Sequence, residues 1–271
     1  MKIVVLGSGT SHGIPVVGCS CPVCKSEDPR DKRMRSSIYI EGAGGERVLI
    51  DAGPEFRLQA LGAGISRLDG IFLTHSHADH LHGLDDVRPL SHEKPLSVYG
   101  NERTIAEMKE RFSYVFGAMW GSQRGGGKPK LIPQVVDGTV RIGGLALTPV
   151  PVKHGVLDIL GWEVREDAKS FLYLTDTSAI PPDSLALLNS GDRRRVIIIG
   201  GLRMRPHETH FSFEQALTAA VSIGAEAVYI THICHAHSNT DIEEFCLNFR
   251  QSRGPKETEM HPAWDGLEFT L

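Results

Sequence analysis

Four side chains of metal-ligating type, His75, His77, Asp79 and His80, stand within six residues, directly after the apolar run Gly70–Leu73. No other feature limits what this 271-residue chain can fold into as strongly. Imidazoles and carboxylates are costly to bury unless paired or coordinated, so these are not ordinary core residues. An exposed loop has no need of such density. His75 and His77 alternate, so an extended backbone points them the same way. Asp79 and His80 fall just past the turn and can serve a second position a few ångströms away. Leu81-His82-Gly83-Leu84 then starts a helix.

Other strand-length runs rich in Val, Ile and Leu recur along the chain. They are Lys2–Leu6, Ser37–Ile40, Arg47–Ile50, Leu96–Tyr99, Leu145–Val152, Gly161–Arg165, Phe171–Leu174, Val196–Ile199, Ala227–Ile230 and Leu267–Leu271. Glycine, proline or aspartate usually bounds them. Asn101 caps a helix to about Phe116. Ser212 and Gln215 form a capping-box signal for a helix to about Ile223. Asp241–Gln251 carries Ile242, Phe245, Cys246 and Phe249 on one face. Strand runs lead in both halves, with helices between and after. The pattern reads as α/β or α+β with two sheets in one domain, residues 1–271. An apolar fraction of 41% supports a core, and a net charge of −4 gives no chain-wide basic footprint for nucleic acid. The first residues read as a strand, not a signal peptide, and no run approaches the roughly 20 apolar residues of a membrane span. A cytoplasmic protein with no membrane partner is expected.

Three of the 5 cysteines crowd into a loop at 18–25 as Cys19-Ser20-Cys21-Pro22-Val23-Cys24. An odd, clustered set is not a secreted disulfide framework; it suits a soft metal in a closed tetrahedral site. A fourth ligand is needed. His235, three residues after His232, is the first candidate and Cys234 its competitor; His12, His237 and Cys246 follow. Gly121–Lys130, with three consecutive glycines and Arg124, Lys128 and Lys130, reads as an exposed loop or a flap over an anionic ligand.

The run His75-Ser76-His77-Ala78-Asp79-His80 resembles the H-x-H-x-D-H signature of the metallo-β-lactamase superfamily. Ile50-Asp51-Ala52-Gly53, Lys153-His154-Gly155, Thr175-Asp176-Thr177 and Thr231-His232 match that pattern in order, each after a buried run. The resemblance implies a four-layer αβ/βα sandwich, the metallo-β-lactamase fold, with a di-metal site between two sheets. It implies that His75, His77 and His154 hold one metal, that Asp79, His80 and His232 hold the other, and that Asp176 bridges. Two divalent cations (Mn2+ or Zn2+) against Asp79 and Asp176 leave roughly +2, which suits an anionic substrate.

Cys19, Cys21, Cys24 and His235 together resemble the PhnP-type phosphodiesterases of the carbon–phosphorus lyase pathway, which carry a structural Zn2+ on this pattern. The opening Gly7-Ser8-Gly9-Thr10-Ser11-His12-Gly13-Ile14-Pro15 is also similar to theirs. That resemblance implies hydrolysis of a small cyclic phosphodiester of ribose phosphate by a metal-bridging hydroxide. It also implies a homodimer. Asp79 and His210 are the catalytic candidates beside the metals. His210, in Thr209-His210-Phe211-Ser212, is similar in position to the non-metal histidine of these enzymes and would protonate the leaving group, with His207 as runner-up. Arg203 and Arg205 flank that loop; they suit bidentate contacts to a terminal phosphate or, equally, read as solvated loop arginines. Arg88 and His82 are further candidates; His92 and His261 read as surface residues. Two other readings stand beside this one. A tRNA 3′-processing nuclease would need a longer gripping arm than residues 121–130. A non-catalytic relative of cofactor biosynthesis would keep the structural zinc.

Overall fold

The structure, a computed structural model, describes residues 1–117, 127–189 and 194–271. Six strands come first: β1 (Lys2–Gly7), β2 (Ser37–Glu41), β3 (Arg47–Ile50), β4 (Gly70–Phe72), β5 (Leu96–Gly100) and β6 (Leu131–Val135). Eight follow: β7 (Val140–Ile142), β8 (Leu145–His154), β9 (Leu157–Glu166), β10 (Lys169–Leu174), β11 (Arg194–Gly200), β12 (Ala225–Thr231), β13 (Glu259–Pro262) and β14 (Glu268–Thr270), with helices α1 (Pro22–Lys25), α2 (Phe56–Gly62), α3 (Ala78–Leu81), α4 (Glu102–Arg111), α5 (Ser113–Phe116), α6 (Pro182–Asn189), α7 (Phe213–Ile223) and α8 (Asn239–Ser252) between them. They form two sheets, in the orders β14-β1-β2-β3-β4-β5-β6 and β13-β12-β11-β10-β9-β8-β7. Each sheet starts as an antiparallel meander and continues with parallel strands. The last strand returns to pair with the first.

Alternation along the strands builds the layers. In β10, Phe171 and Tyr173 face the space between the sheets, where they meet Ile38, Ile40, Ile50, Phe72 and Trp162. Leu172 and Leu174 face the other way, onto α7 (Phe213–Ile223) and α8 (Asn239–Ser252) through Phe213, Leu217 and Ile242. Val4, Leu49, Ile71 and Val98 cover the outer face of the first sheet with Ile105 and Met108 of α4 (Glu102–Arg111). The result is the four-layer αβ/βα sandwich. Trp162 is fully buried, and its truncation to Ala would cost about 3–5 kcal/mol.

Local structure departs from expectation in identifiable places. The helix capped by Asn101 stops at Phe112, which turns its ring into the outer core; a separate turn covers Ser113–Phe116. The third helix starts at Asn239, because Ser238 caps it and Asp241 is the reciprocal capping-box partner. The expected helix after the histidine cluster is a short α-helix at Ala78–Leu81 followed by a 3-10 stretch over His82–Ser91. Residues 118–126 of the glycine-rich loop lie outside the described residues. At its described end, Lys128 Nζ and Lys130 Nζ donate to the carbonyls of Val115 and His92. Among the described residues, no helix is long and apolar enough to cross a membrane.

Candidate metal centres

β3 and β4 are parallel neighbours, so Asp51 and Thr74 leave the sheet at the same edge. Thr74 donates to Asp51 twice, from its backbone N to Oδ1 (2.8 Å) and from Oγ1 to Oδ2 (2.7 Å). Asp51 Oδ2 also lies 2.7 Å from His80 Nδ1. An ionised carboxylate only accepts, so this contact assigns the proton to Nδ1 and leaves the Nε2 lone pair facing inward. That Nε2 is buried without a hydrogen bond, as is His75 Nε2. Two orphaned imidazole nitrogens at one place are unusual in a folded interior.

Asp176 collects the rest. It follows β10, and its Oδ2 lies 3.8 Å from His75 Nε2 and 3.9 Å from His154 Nε2. Its Oδ1 lies 3.2 Å from His80 Nε2 and 2.9 Å from His232 Nδ1. His80 Nε2 is also 3.1 Å from Asp79 Oδ2. His154 ends β8, and its Nδ1 donates to the Thr209 carbonyl at 2.7 Å, which directs Nε2 into the site. The ligand atoms of His75, His77, His154 and Asp176 lie within 4.8 Å of one another, and so do those of Asp79, His80, Asp176 and His232. Donors about 2.1 Å from a common ion sit about 3.0–3.4 Å apart. The separations of Asp176 Oδ1 from His80 and His232, 3.2 and 2.9 Å, are close to this size, those of Oδ2 from His75 and His154 are about half an ångström longer, and the orphaned nitrogens point to the same centres. The residues fit two divalent cations.

The backbone and the charges agree. Asp51, Asp176 and His232 have φ of 61°, 51° and 56°; only one other non-glycine residue, Asp167, has positive φ among the described residues. Such conformations concentrate where a site over-determines them. Burial pushes the Asp51 carboxyl up. Burial also opposes ionisation of Asp79 and Asp176, but His80, and at Asp176 His232, hold both below the usual range. Against its own burial, His80 is raised well above the ordinary imidazole value by Asp176, Asp79 and Asp51: the carboxylates draw positive charge to its inward Nε2, charge that a cation would supply in place of a proton. Burial, with neighbouring histidines, keeps His75 and His77 neutral. Three buried carboxylates thus share few positive charges, a deficit that cations would meet.

His210 enters from the loop between β11 and α7. That loop is pinned where the Phe211 N–H donates to the Thr177 carbonyl at 2.7 Å. His210 Nε2 lies 3.3 Å from Asp176 Oδ2, its Nδ1 is 2.8 Å from Thr209 Oγ1, and its ring stacks on His232 at 5.0 Å. It belongs to neither ligand group. His207 stands one step out, exposed and touching Thr209 and His210. Of the two readings of Arg203 and Arg205, the loop reading fits their placement: Arg205 is exposed and Arg203 half-buried. Neither Arg203 nor Arg205 lines the two cavities that open on the metal ligands, and Arg203 lies instead near Cys234. Arg88 binds the Gly127 carbonyl. His82 lines the cavity at His77 and Asp79. Sequence reading missed Glu107 and Arg111, which also line the site from α4. Their only signal is an Arg103-Glu107-Arg111 spacing common to solvated helices.

The cysteine loop makes a separate centre. The Sγ atoms of Cys19, Cys21 and Cys24 lie 3.4, 3.5 and 3.5 Å from His235 Nδ1. Sulfur at about 2.3 Å and nitrogen at about 2.0 Å from one tetrahedral zinc are about 3.5 Å apart. Cys21 accepts from the Cys24 N–H, and this bond lowers its thiol to about 6 despite burial, while burial pushes Cys24 up to about 11. Ile233 is bonded on both sides, to Ser8 and Thr10, so His232 serves the Asp176 site and His235 the cysteines. The competing ligands are elsewhere: Cys234 is buried outside the group, Cys246 is in the helix core, and His237 packs on Phe213. His12 packs its ring edge-on to His235 at 6.1 Å.

Residues 46–233 match the family described as the beta-lactamase superfamily domain. The octanoyltransferase of Porphyromonas gingivalis is 37% identical over 269 residues, 99% of this chain but 51% of that protein. The chain therefore spans about half the length of that relative. A crystal structure of a new diphosphatase from the PhnP family is 36% identical, covers 99% of this chain and 96% of its own, and superposes with a TM-score of 0.83. Zn(2+)-bound PqqB from Methylobacterium extorquens shares the fold at 18% identity, with complete coverage of both chains and a TM-score of 0.80.

Proposed function

Because the chain belongs to the beta-lactamase superfamily, a family of metal-site hydrolases, we propose that it hydrolyses a small cyclic phosphodiester of the phosphoribosyl 1,2-cyclic phosphate class. The observation that carries this reading is Asp176, whose two oxygens divide between two ligand groups while a non-ligand imidazole, His210, stands 3.3 Å away. The 36% identity to a PhnP-family diphosphatase supports phosphorus chemistry. Held by His75, His77, His154 and Asp176 on one side and Asp79, His80, His232 and Asp176 on the other, two divalent cations would supply Lewis-acid polarisation of the phosphoryl group and activation of water.

The chain's own residues do the rest. Asp51 and Thr209 set the tautomers of His80 and His154, so that both present Nε2. Asp79 keeps a carboxylate on the cavity side of the site. His210 holds a proton at Nε2 and delivers it to the alkoxide oxygen that leaves as the P–O bond breaks, while Thr209 Oγ1 steadies Nδ1. The four residues Cys19, Cys21, Cys24 and His235 would hold a structural Zn2+. That clip would tie the loop 18–25 to the segment bearing His232, whose Nε2 is 3.0 Å from Thr10 Oγ1.

The test is turnover by manganese-loaded protein of ribose 5-phosphate 1,2-cyclic phosphate and, in parallel, of 2′,3′-cyclic nucleotides, read by phosphorus NMR after chelation. Opening of the ribosyl substrate alone is the expected result. Opening of the nucleotides instead would keep the mechanism and replace the substrate. No turnover of either, with hydrolysis of an octanoyl thioester, would replace phosphodiester by acyl chemistry.

A further inference from the structure

Two cavities, of about 550 and 670 Å³, open on the metal ligands. The first runs from His75 and His77 past α4 to Asp158; the second takes in Ser11, Asp79 and His82. They share two residues, His77 and Arg111. Arg111 is thus within the lining of either space into which a ligand bound at the metals could extend. Each cavity has room for a ligand larger than one phosphate.

We propose that Arg111 is a specificity-determining residue that binds a second, non-reacting phosphate of the substrate, and that Glu107 sets it in place. This rests on the hydrolase reading above. Among the described residues, the only hydrogen bond the Arg111 guanidinium makes is from Nη2 to Glu107 Oε2, at 3.1 Å. Its side chain is 36% exposed and lines both cavities, and a guanidinium has five N–H donors, so donors beyond the Glu107 bond remain for a ligand. The planar fork matches phosphate oxygens two at a time. Glu107 does not cancel this charge on its own. It also accepts from Arg103 Nε at 2.8 Å and from the Ser76 hydroxyl. Ser76 lies between the ligands His75 and His77, so one carboxylate ties the metal loop and Arg111 into a single unit. Arg103 reaches only the first cavity and is largely exposed, which leaves Arg111 as the cation common to both.

The experiment compares wild type, Arg111→Gln and Arg111→Lys, all metal-loaded, on two phosphodiesters. Bis(p-nitrophenyl) phosphate carries only the reacting phosphate. Ribose 5-phosphate 1,2-cyclic phosphate carries a terminal phosphate as well. The ratio of kcat/KM for the second substrate to that for the first is expected to fall about 10- to 100-fold in Arg111→Gln, mainly through KM. Arg111→Lys is expected to recover part of it. A ratio within twofold of wild type in Arg111→Gln overturns the assignment. If wild type turns over neither substrate, the hydrolase reading has failed, and the inference is read from calorimetric titration with ribose 5-phosphate. Binding to wild type that Arg111→Gln loses supports it; equal binding to both, or none to wild type, overturns it.

Discussion

Replacing Asp51 by Asn changes one atom and tests how the protein prepares a ligand. Asn tolerates the left-handed backbone at φ 61°, so the chain path is kept. The carboxylate accepts three hydrogen bonds, from Thr74 N, Thr74 Oγ1 and His80 Nδ1. With the amide NH₂ at the Oδ2 position, it confronts His80 Nδ1–H. The ring then moves its proton to Nε2 and loses the lone pair that faces Asp79 and Asp176. With the amide reversed, its NH₂ confronts the Thr74 N–H instead. Either orientation loses one buried contact, worth about 1–3 kcal/mol. Outer partners of this kind typically change metal affinity about 10- to 100-fold, or about 1.4–2.7 kcal/mol. The assay is equilibrium dialysis at buffered free manganese, with metal per chain from mass spectrometry and circular dichroism to check the fold. Asp51→Asn should hold the ion of the Asp79, His80, Asp176 and His232 group at least tenfold more weakly. If its affinity equals that of wild type, the role assigned to Asp51 is wrong.

Further outcomes are expected elsewhere. His210→Asn should lower kcat about 10²- to 10⁴-fold with metal content unchanged, measured by steady-state kinetics beside mass spectrometry; parallel loss of metal would make it a ligand instead. Cys21→Ser should remove one zinc per chain and lower Tm by more than about 5 °C in calorimetry, because the loop's own buried cluster is only Ile14, Val23 and Cys24. Asp265 is buried, and burial pushes its carboxyl up to about 6 against hydrogen bonds from Ser8 and Met34. Its folded value exceeds the unfolded one, so its contribution is complete below about pH 4 and is lost as pH rises through 6, a fall of about 3 kcal/mol. In denaturant unfolding at the two ends of that window, the stability of wild type relative to Asp265→Asn should drop by this amount from low to high pH; an unchanged difference would contradict it.

The strands that carry ligands were legible because buried strands read as nearly continuous Val, Ile and Leu runs, and each ligand sits where such a run ends. The metal-ligand types were legible because few residues can coordinate a cation, and chemistry restricts them more than packing does. β6 was missed because Pro133 and an exposed face make it read as loop. β7, at three residues, is too short to show a period. The helix Phe56–Gly62 has no side-chain cap to announce it. Arg111 escaped notice for a different reason. An i,i+4 ladder of Arg103, Glu107 and Arg111 looks the same on any solvated helix, and only the tertiary contact of Glu107 with Ser76 sets this one apart. Arg203 and Arg205 neighbour His210 in sequence, but neither lines a cavity that opens on the metal ligands.

The most direct test of the Asp176-centred site is turnover of bis(p-nitrophenyl) phosphate by metal-loaded wild type and Asp176→Ala, with metal content measured on the same samples. Wild type is expected to turn over, and the variant to lose at least about a thousandfold in kcat/KM together with bound metal. Activity within tenfold of wild type in Asp176→Ala would show that the chemistry does not run through the carboxylate joining the two ligand groups.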